Sequence, residues 1–297
     1  MTAKIISGTE IAKQVRAEIA VDTQILKEQY GINPGLAAVL VGDDPASAIY
    51  VRSKRKACEA AGIYSEVFNL DRSVSQKEIL ELLASLNTDD RFHGILLQLP
   101  LPSHLDEALS ISAMDPSKDV DGLHPYNMGL LAQGSHSFIP ATPYGVQQLL
   151  VRSGYDPAGQ HVVVCGRSNL VGKPLAMLLT NKGKGMNATV TVCHTGTKDL
   201  GEFTRQGDIL IAAIGRPKII TADMVKPGAV VIDVGINRVE DKNKDRGYRL
   251  EGDVDFTQVS QVAGAITPVP GGVGPMTVAM LLSNTLMAAK TTIGGKK

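Results

Sequence analysis

At 297 residues the chain is long enough for two domains of ordinary size, each with its own core. Thirty basic and thirty acidic side chains cancel to a formal net charge of zero, which excludes a global field toward nucleic acid or an anionic membrane and points to small-molecule partners. No apolar run approaches bilayer length, the first residues MTAKIISGTEIAKQ lack the apolar core of a secretory signal, and Cys58, Cys165 and Cys193 form no CxxC pair. A soluble protein of the reducing cytoplasm is therefore expected.

The pattern predicts a helix over residues 7–31, with Ile11, Val15 and Ile19 on one side, and then a strand over 36–41, LAAVLV, too continuously apolar to be half exposed. GDDPAS turns the chain into a second helix that stops at Gly62. At about 100° per residue, Ser47, Tyr50, Val51, Lys54, Ala57, Cys58 and Ala61 share one stripe of this helix, with Arg52 and Lys56 opposite. Lys54 thus projects from the small, apolar face one turn after Tyr50. Two readings stand: a lysine that buries its stem and returns its ammonium to water, or a desolvated amine whose pKa is lowered for acid/base work.

A strand over 63–70, a helix opened by Ser75 and Glu78 in capping-box spacing and carrying Ile79, Leu82, Leu83 and Leu86, and a strand over 94–99 complete this region. Such alternation predicts a parallel α/β sheet with ligands beyond the carboxyl ends of its strands, where the turn before Tyr50 and the Gln98-Leu99-Pro100 turn both fall. Lys54 and Gln98 then face one crevice, although Gln98 alone reads more readily as an amide satisfying its loop than as a catalytic residue. Residues 115–125, DPSKDVDGLHP, lack the graded oxygen-ligand spacing of a calcium loop, so turn-capping aspartates are expected and no metal site.

Thr142-Pro143 reads as an N-cap and first helical position, and the domain crossover is placed there, giving domains of 1–141, completed by the C-terminal helix at 275–297, and 142–274. The strand over 161–165 breaks into GRSNLVGKP and a helix from 175 to 179, an arrangement that offers backbone N–H groups and a positive dipole end to a phosphate. Ser168 stands where a second glycine is usual in a dinucleotide turn. Strands follow at 188–193, 208–213, 229–234 and 264–267. After the first of these comes His194-Thr195-Gly196-Thr197-Lys198, with no acid to repel a 2′-phosphate; with Arg167 in the turn, NADP is expected over NAD. The glycines of TPVPGGVGPM, before an apolar helix over 277–289, suggest close approach of backbone to a ligand or simply a tight structural turn.

In these segments the chain resembles the bifunctional methylenetetrahydrofolate dehydrogenase/cyclohydrolase family of one-carbon metabolism. The resemblance is carried, in order, by YVRSKRKACEAAGI, GILLQLPLP, DPSKDVDGLHPYNMG, TPYGV, GRSNLVGKP, ATVTVCHTGT, VIDVGIN, GDVDF and TPVPGGVGPMTVAMLL. It implies two α/β domains flanking a cleft, the second a Rossmann-type NADP domain, and a homodimer formed through that domain. It implies further that Lys54 is the principal catalytic residue, that Tyr50 packs on the aromatic ring of a tetrahydrofolate, that Gln98 bonds Lys54 and influences its protonation, and that Asp121 holds the pterin edge. Leu99, Pro270, Gly271 and Gly272 are implied folate contacts; Gly166, Arg167, Ser168, Val171, Gly172, Thr195 and Ile236 are implied NADP contacts. Three positions depart from the family pattern: Thr195 for a serine, a longer loop at 181–186, and Ala141 for a cysteine.

Overall fold

The computed structural model describes residues 2–42, 45–241, 244 and 247–295. Asp43 and Asp44 of the expected GDDPAS turn, and the last two lysines, lie outside the described residues, as does the side chain of Ser47. Among the described residues no helix is long and apolar enough to cross a membrane.

In chain order the elements are β1 (Lys4–Ile5), α1 (Gly8–Tyr30), β2 (Gly35–Val41), α2 (Pro45–Ala60), β3 (Tyr64–Leu70), α3 (Gln76–Thr88), β4 (Gly94–Leu97), α4 (Glu107–Ser112), α5 (Pro125–Gln133) and α6 (Ala141–Arg152). There follow β5 (His161–Cys165), α7 (Gly172–Thr180), β6 (Thr189–Cys193), α8 (Leu200–Thr204), β7 (Ile209–Ala212), β8 (Val230–Asp233), β9 (Asn237–Glu240), β10 (Tyr248–Glu251), α9 (Phe256–Val259), β11 (Ala265–Ile266) and α10 (Val273–Thr291). Contacts divide them into two compact units.

One unit comprises Lys13–Leu130, His136–Ala141 and the chain from Val278 onward. Its sheet is parallel, in the order β3-β2-β4, with Leu36 opposite Ser65 on one side and Gly94 on the other. Every residue of the central strand β2 is buried, as its unbroken apolar run requires. Ala37, Val39, Ile79, Leu83, Phe92, Ile95 and Leu97 form its core, each large aliphatic among them stabilising the fold by about 1.5–3 kcal/mol through burial. The expected capping box of α3 is present: Ser75 Oγ accepts the Glu78 N–H and the Glu78 carboxylate accepts the Ser75 N–H. From α10, Asn284 donates to the carbonyls of Val120 (2.8 Å) and Ile139 (2.9 Å), tying down the chain just before Asp121.

The other unit comprises residues up to Ala12, Leu131–Ser135 and Thr142–Thr277, around a six-stranded parallel sheet in the order β1-β11-β8-β7-β5-β6. The chain runs outward from β5 to β6 and returns to β7 on the opposite side of β5. That reversal separates the loops after β5 and β7 and opens a crevice at the carboxyl ends of the strands. A two-stranded antiparallel hairpin of β9 and β10 stands apart from this sheet.

Two expectations from the sequence are corrected. The first residues do not join the amino-terminal unit, because β1 pairs in parallel with β11 at the edge of the six-stranded sheet. Thr142 is not an N-cap: α6 already begins at Ala141, and the Thr142 hydroxyl lies 3.1 Å from that of Thr277.

Candidate functional site

In the three-stranded unit the apolar stripe of α2 is buried as its spacing predicts: Val51, Cys58 and Ala61 are inaccessible, Arg52 and Lys56 are exposed, and Lys54 retains 9% of its surface. The snorkelling alternative therefore fails for Lys54. Its ammonium nitrogen donates to Gln98 Oε1 at 3.0 Å, and Gln98 Nε2 donates to the Leu99 carbonyl at 2.8 Å. The second bond orients the first, since a carbonyl only accepts and the amide must turn its oxygen toward Lys54. Gln98 is itself held at the strand end by its own N–H, which bonds the Val39 carbonyl of β2.

Burial pushes the Lys54 pKa below that of a free lysine, opposed in part by the negative charge of Asp121. Burial likewise pushes the Asp121 carboxyl above the usual range, opposed by the Lys54 charge. Both groups are thus moved toward their neutral forms. The Cys58 thiol, one turn beyond Lys54, is pushed up to about 12 by burial and stays protonated. Tyr50, 40% exposed, precedes Lys54 by one turn. The Leu99 side chain packs against the core of the sheet, so only its carbonyl serves the cluster.

The neighbouring aspartates are turn residues, as their spacing predicts. The carboxylate of Asp119 accepts the N–H groups of Leu123 and His124 and the amide of Asn127, and that of Asp115 accepts from Ser117. For Asp121, by contrast, no protein donor to the carboxylate is found among the described residues, which leaves both oxygens free to accept from a ligand.

The crevice of the six-stranded unit is a pocket of about 250 Å³ lined by Cys165, Gly166, Arg167, Ser168, His194, Thr195, Ala213, Ile214 and Ile219, among others. Glycine is required twice at its floor. Gly166 has φ +134, and a Cβ on it would overlap the Ala213 carbonyl; a Cβ on Gly172 would overlap the carbonyl of Gly166. Ser168 Oγ accepts the Val171 N–H at 3.1 Å and thereby shapes the turn into α7, so this serine does structural work where a glycine is usual. Val171 is the N-cap of α7 and provides no side-chain cap; the Lys173 N–H bonds the Ser168 carbonyl at 3.1 Å and Pro174 has no N–H, so in the first turn the Gly172 N–H is left without a protein partner among the described residues. Gly166, Arg167, Ser168 and Thr195 share the pocket, with Gly172 against its floor. Ile236 does not line it; this residue is 44% exposed and adjoins Gly274. In the loop of Pro270, Gly271 and Gly272, the Gly271 carbonyl accepts the Thr9 N–H at 3.0 Å.

Sequence reasoning missed a pair of buried carboxylates beneath this pocket. Asp253 is fully buried and accepts the N–H groups of Ile214, Gly215 and Arg216 and the amide of Asn237. Asp233, at the end of β8, accepts the N–H groups of Gly235, Asp253 and Val254, and burial pushes its carboxyl up to about 7. The signal was present in GDVDF and VIDVGIN, where a Cβ on Gly252 would overlap Asp233 and one on Gly235 would overlap Asp253.

The pattern of the family "Tetrahydrofolate dehydrogenase/cyclohydrolase, catalytic domain" matches residues 6–121, and that of its NAD(P)-binding domain matches residues 140–293. The chain is 56% identical to the "Bifunctional protein FolD" of Dehalococcoides mccartyi strain CBDB1 over 294 residues, 99% of each chain. Among solved structures, that of the bifunctional FolD enzyme of Campylobacter jejuni is 47% identical with a TM-score of 0.92, covering 98% of this chain and 99% of that one. The FolD structure of Trypanosoma brucei, complexed with NADP cofactor and inhibitor, is 40% identical with a TM-score of 0.93, covering 99% of each.

Proposed function

Because the chain belongs to the tetrahydrofolate dehydrogenase/cyclohydrolase family, we propose a division of its bifunctional chemistry between the two clusters just described, with the folate at Lys54 and the dinucleotide in the pocket of the six-stranded unit. The enzyme oxidises 5,10-methylenetetrahydrofolate to the methenyl cation with NADP, then hydrolyses the cation to 10-formyltetrahydrofolate. The observation that carries the assignment of residues is the buried Lys54 amine held at 3.0 Å by an oriented Gln98.

The pocket suits NADP by its donor set. Glycine backbone approaches closely at Gly166 and Gly172, the unpartnered N–H of Gly172 opens a helix, and Arg167 and Thr195 provide a cation and a hydroxyl for a 2′-phosphate with no acid among the pocket residues. When bound, NADP+ supplies the hydride acceptor.

The protein's own part in oxidation is orientation and control of charge. Loss of hydride makes a delocalised cation, which a protonated lysine beside it would oppose; the desolvated Lys54 is therefore neutral at this stage, and the arrival of the cation lowers its pKa further. In hydrolysis the same neutral amine accepts the proton of the water that attacks the methenyl carbon and returns it to the departing ring nitrogen. Gln98 fixes the nitrogen by accepting one of its hydrogens, so its lone pair is free for that proton. Tyr50 offers its exposed ring to stack on the folate, and the free oxygens of Asp121 receive the pterin N–H groups. Leu99, Pro270, Gly271 and Gly272 as folate contacts, and Ile236 as a dinucleotide contact, rest on the family pattern.

A homodimer through the six-stranded unit follows from the same pattern, and β6 is consistent with it as an edge strand with Val192 exposed. The three buried free thiols suit a reducing cytoplasm. The test is a spectroscopic assay with NADP+ and 5,10-methylenetetrahydrofolate that follows NADPH and the methenyl species separately, repeated with supplied methenyl substrate and no cofactor. Turnover in both is expected. Turnover only in the first removes Lys54 as the hydrolytic base.

A further inference from the structure

We infer that Asp253 is a positioning residue for the dinucleotide pocket, holding one wall of it through three consecutive backbone amides. The inference rests on the assignment of NADP to that pocket. Ala213, Ile214 and Ile219, from the segment that follows β7, form this wall. The segment is anchored at its ends by backbone bonds, Ala213 N–H to the Cys165 carbonyl at 2.8 Å and Lys218 N–H to the Gly252 carbonyl at 3.1 Å. Between those anchors the amides of Ile214, Gly215 and Arg216 all point to the Asp253 carboxylate, Gly215 at 2.9 Å and Arg216 at 3.0 Å. Among the described residues these amides have no other partner.

A carboxylate in such a nest does for the loop what a bound anion would do, and it must accept at both oxygens. Oδ2 takes Ile214 and Gly215; Oδ1 takes Arg216 and, at 2.8 Å, the side-chain amide of Asn237. Asp253 is in turn fixed from behind, its own N–H bonded to Asp233 at 3.0 Å and its carbonyl bonded to the Ile220 N–H at 3.0 Å. The neighbouring glycines leave no slack, since a side chain at Gly235 or Gly252 would occupy the space of the two carboxylates. Asp253 does not itself line the pocket. It sets the distance between the wall and the glycine turn across the pocket.

An asparagine at this position keeps the shape but presents a donor to at least one of the amides that the aspartate accepts. Two variants test the inference, Asp253→Asn and Asn237→Ala, the second removing one donor to the carboxylate while leaving the carboxylate in place. NADP+ affinity is read by isothermal titration, and cyclohydrolase activity is read on supplied methenyl substrate without cofactor. Asp253→Asn is expected to weaken NADP+ binding about 10- to 100-fold and Asn237→Ala about 2- to 10-fold, the cyclohydrolase kcat and KM of both remaining at wild-type values. A folded Asp253→Asn chain with unchanged NADP+ affinity would overturn the inference, as would a parallel fall in both activities, which marks a purely structural role. Should Asp253→Asn fail to fold, unchanged affinity in Asn237→Ala overturns it equally. A wild-type chain that binds no NADP+ refutes the cofactor assignment itself, an outcome separate from loss of affinity in the variants alone.

Discussion

Replacing Lys54 with methionine separates the chemistry of the amine from the packing of its stem. Methionine matches the length and much of the volume of the lysine stem, so the apolar stripe of α2 stays filled, while the nitrogen 3.0 Å from Gln98 is lost. The half-buried Gln98 oxygen is left without that donor, at a cost of about 1–3 kcal/mol, but a desolvated amine is removed at the same time. The two effects oppose one another, and the melting temperature is expected to move by only a few degrees. Activity has no such compensation. A positioned proton-transfer group contributes about 10²- to 10⁴-fold, so hydrolysis of supplied methenyl substrate should fall by that factor, equivalent to about 3–5 kcal/mol of barrier. In the wild type, the lowered Lys54 pKa means the neutral amine prevails from a pH below the free-lysine value of 10.5 upward. Cyclohydrolase activity should therefore rise with pH through a midpoint below 10.5. The same sign holds for stability: burying the neutral amine favours the fold at high pH, and that contribution is lost as pH falls through the depressed pKa. Lys54→Met should remove both dependences while leaving NADP+ affinity at its wild-type value. A folded variant that hydrolyses the methenyl substrate at near wild-type rate would refute the assignment.

Asp121→Asn replaces a carboxylate with two free acceptor oxygens by an amide with one; the folate KM is expected to rise about tenfold, and an unchanged KM together with an unchanged kcat would argue against pterin recognition. Thr195→Asp puts a negative charge in the dinucleotide pocket, where it should weaken NADP+ by about tenfold or more and NAD+ far less, as measured by parallel titrations. Ser75→Ala deletes the capping box of α3, remote from both clusters in the sequence, and should lower unfolding free energy by about 1 kcal/mol in denaturant titration with both activities unchanged.

The α/β alternation was readable because β2 is an unbroken apolar run, β5 is one from Val162 onward, and α3 carries an explicit start signal; these are local rules that survive tertiary context. Lys54 was readable from periodicity as a lysine on the wrong face, and the strand-end rule put Gln98 at the same crevice; the bond between them was implied by the family resemblance and not by local pattern. The bond to Gln98 joins positions 44 residues apart, and only the parallel pairing of β2 with β4 brings the end of one strand beside the helix that follows the other. The membership of β1 in the six-stranded sheet escaped for the same reason. A two-residue strand has no periodicity, and its pairing with β11 depends on residues more than 250 positions away. At Thr142 the local N-cap signal lost to the tertiary setting of α6, whose first turn begins one residue earlier.

The two clusters place burial in opposite service. Around Lys54, burial acts on ionisation: a cation and an acid are both displaced toward neutrality, and a proton can move at an amine that in water would hold it. Beneath the dinucleotide pocket, buried carboxylates are surrounded by backbone donors, and their work is to hold chain rather than to exchange protons. Asp253, with four donors, is as fully satisfied as a carboxylate in a turn. Asp121, with none from the described residues, has its acceptors in reserve. Counting donors around each buried acid thus distinguishes a residue that recognises a ligand from one that builds the site, a distinction that residue type and sequence spacing alone do not make.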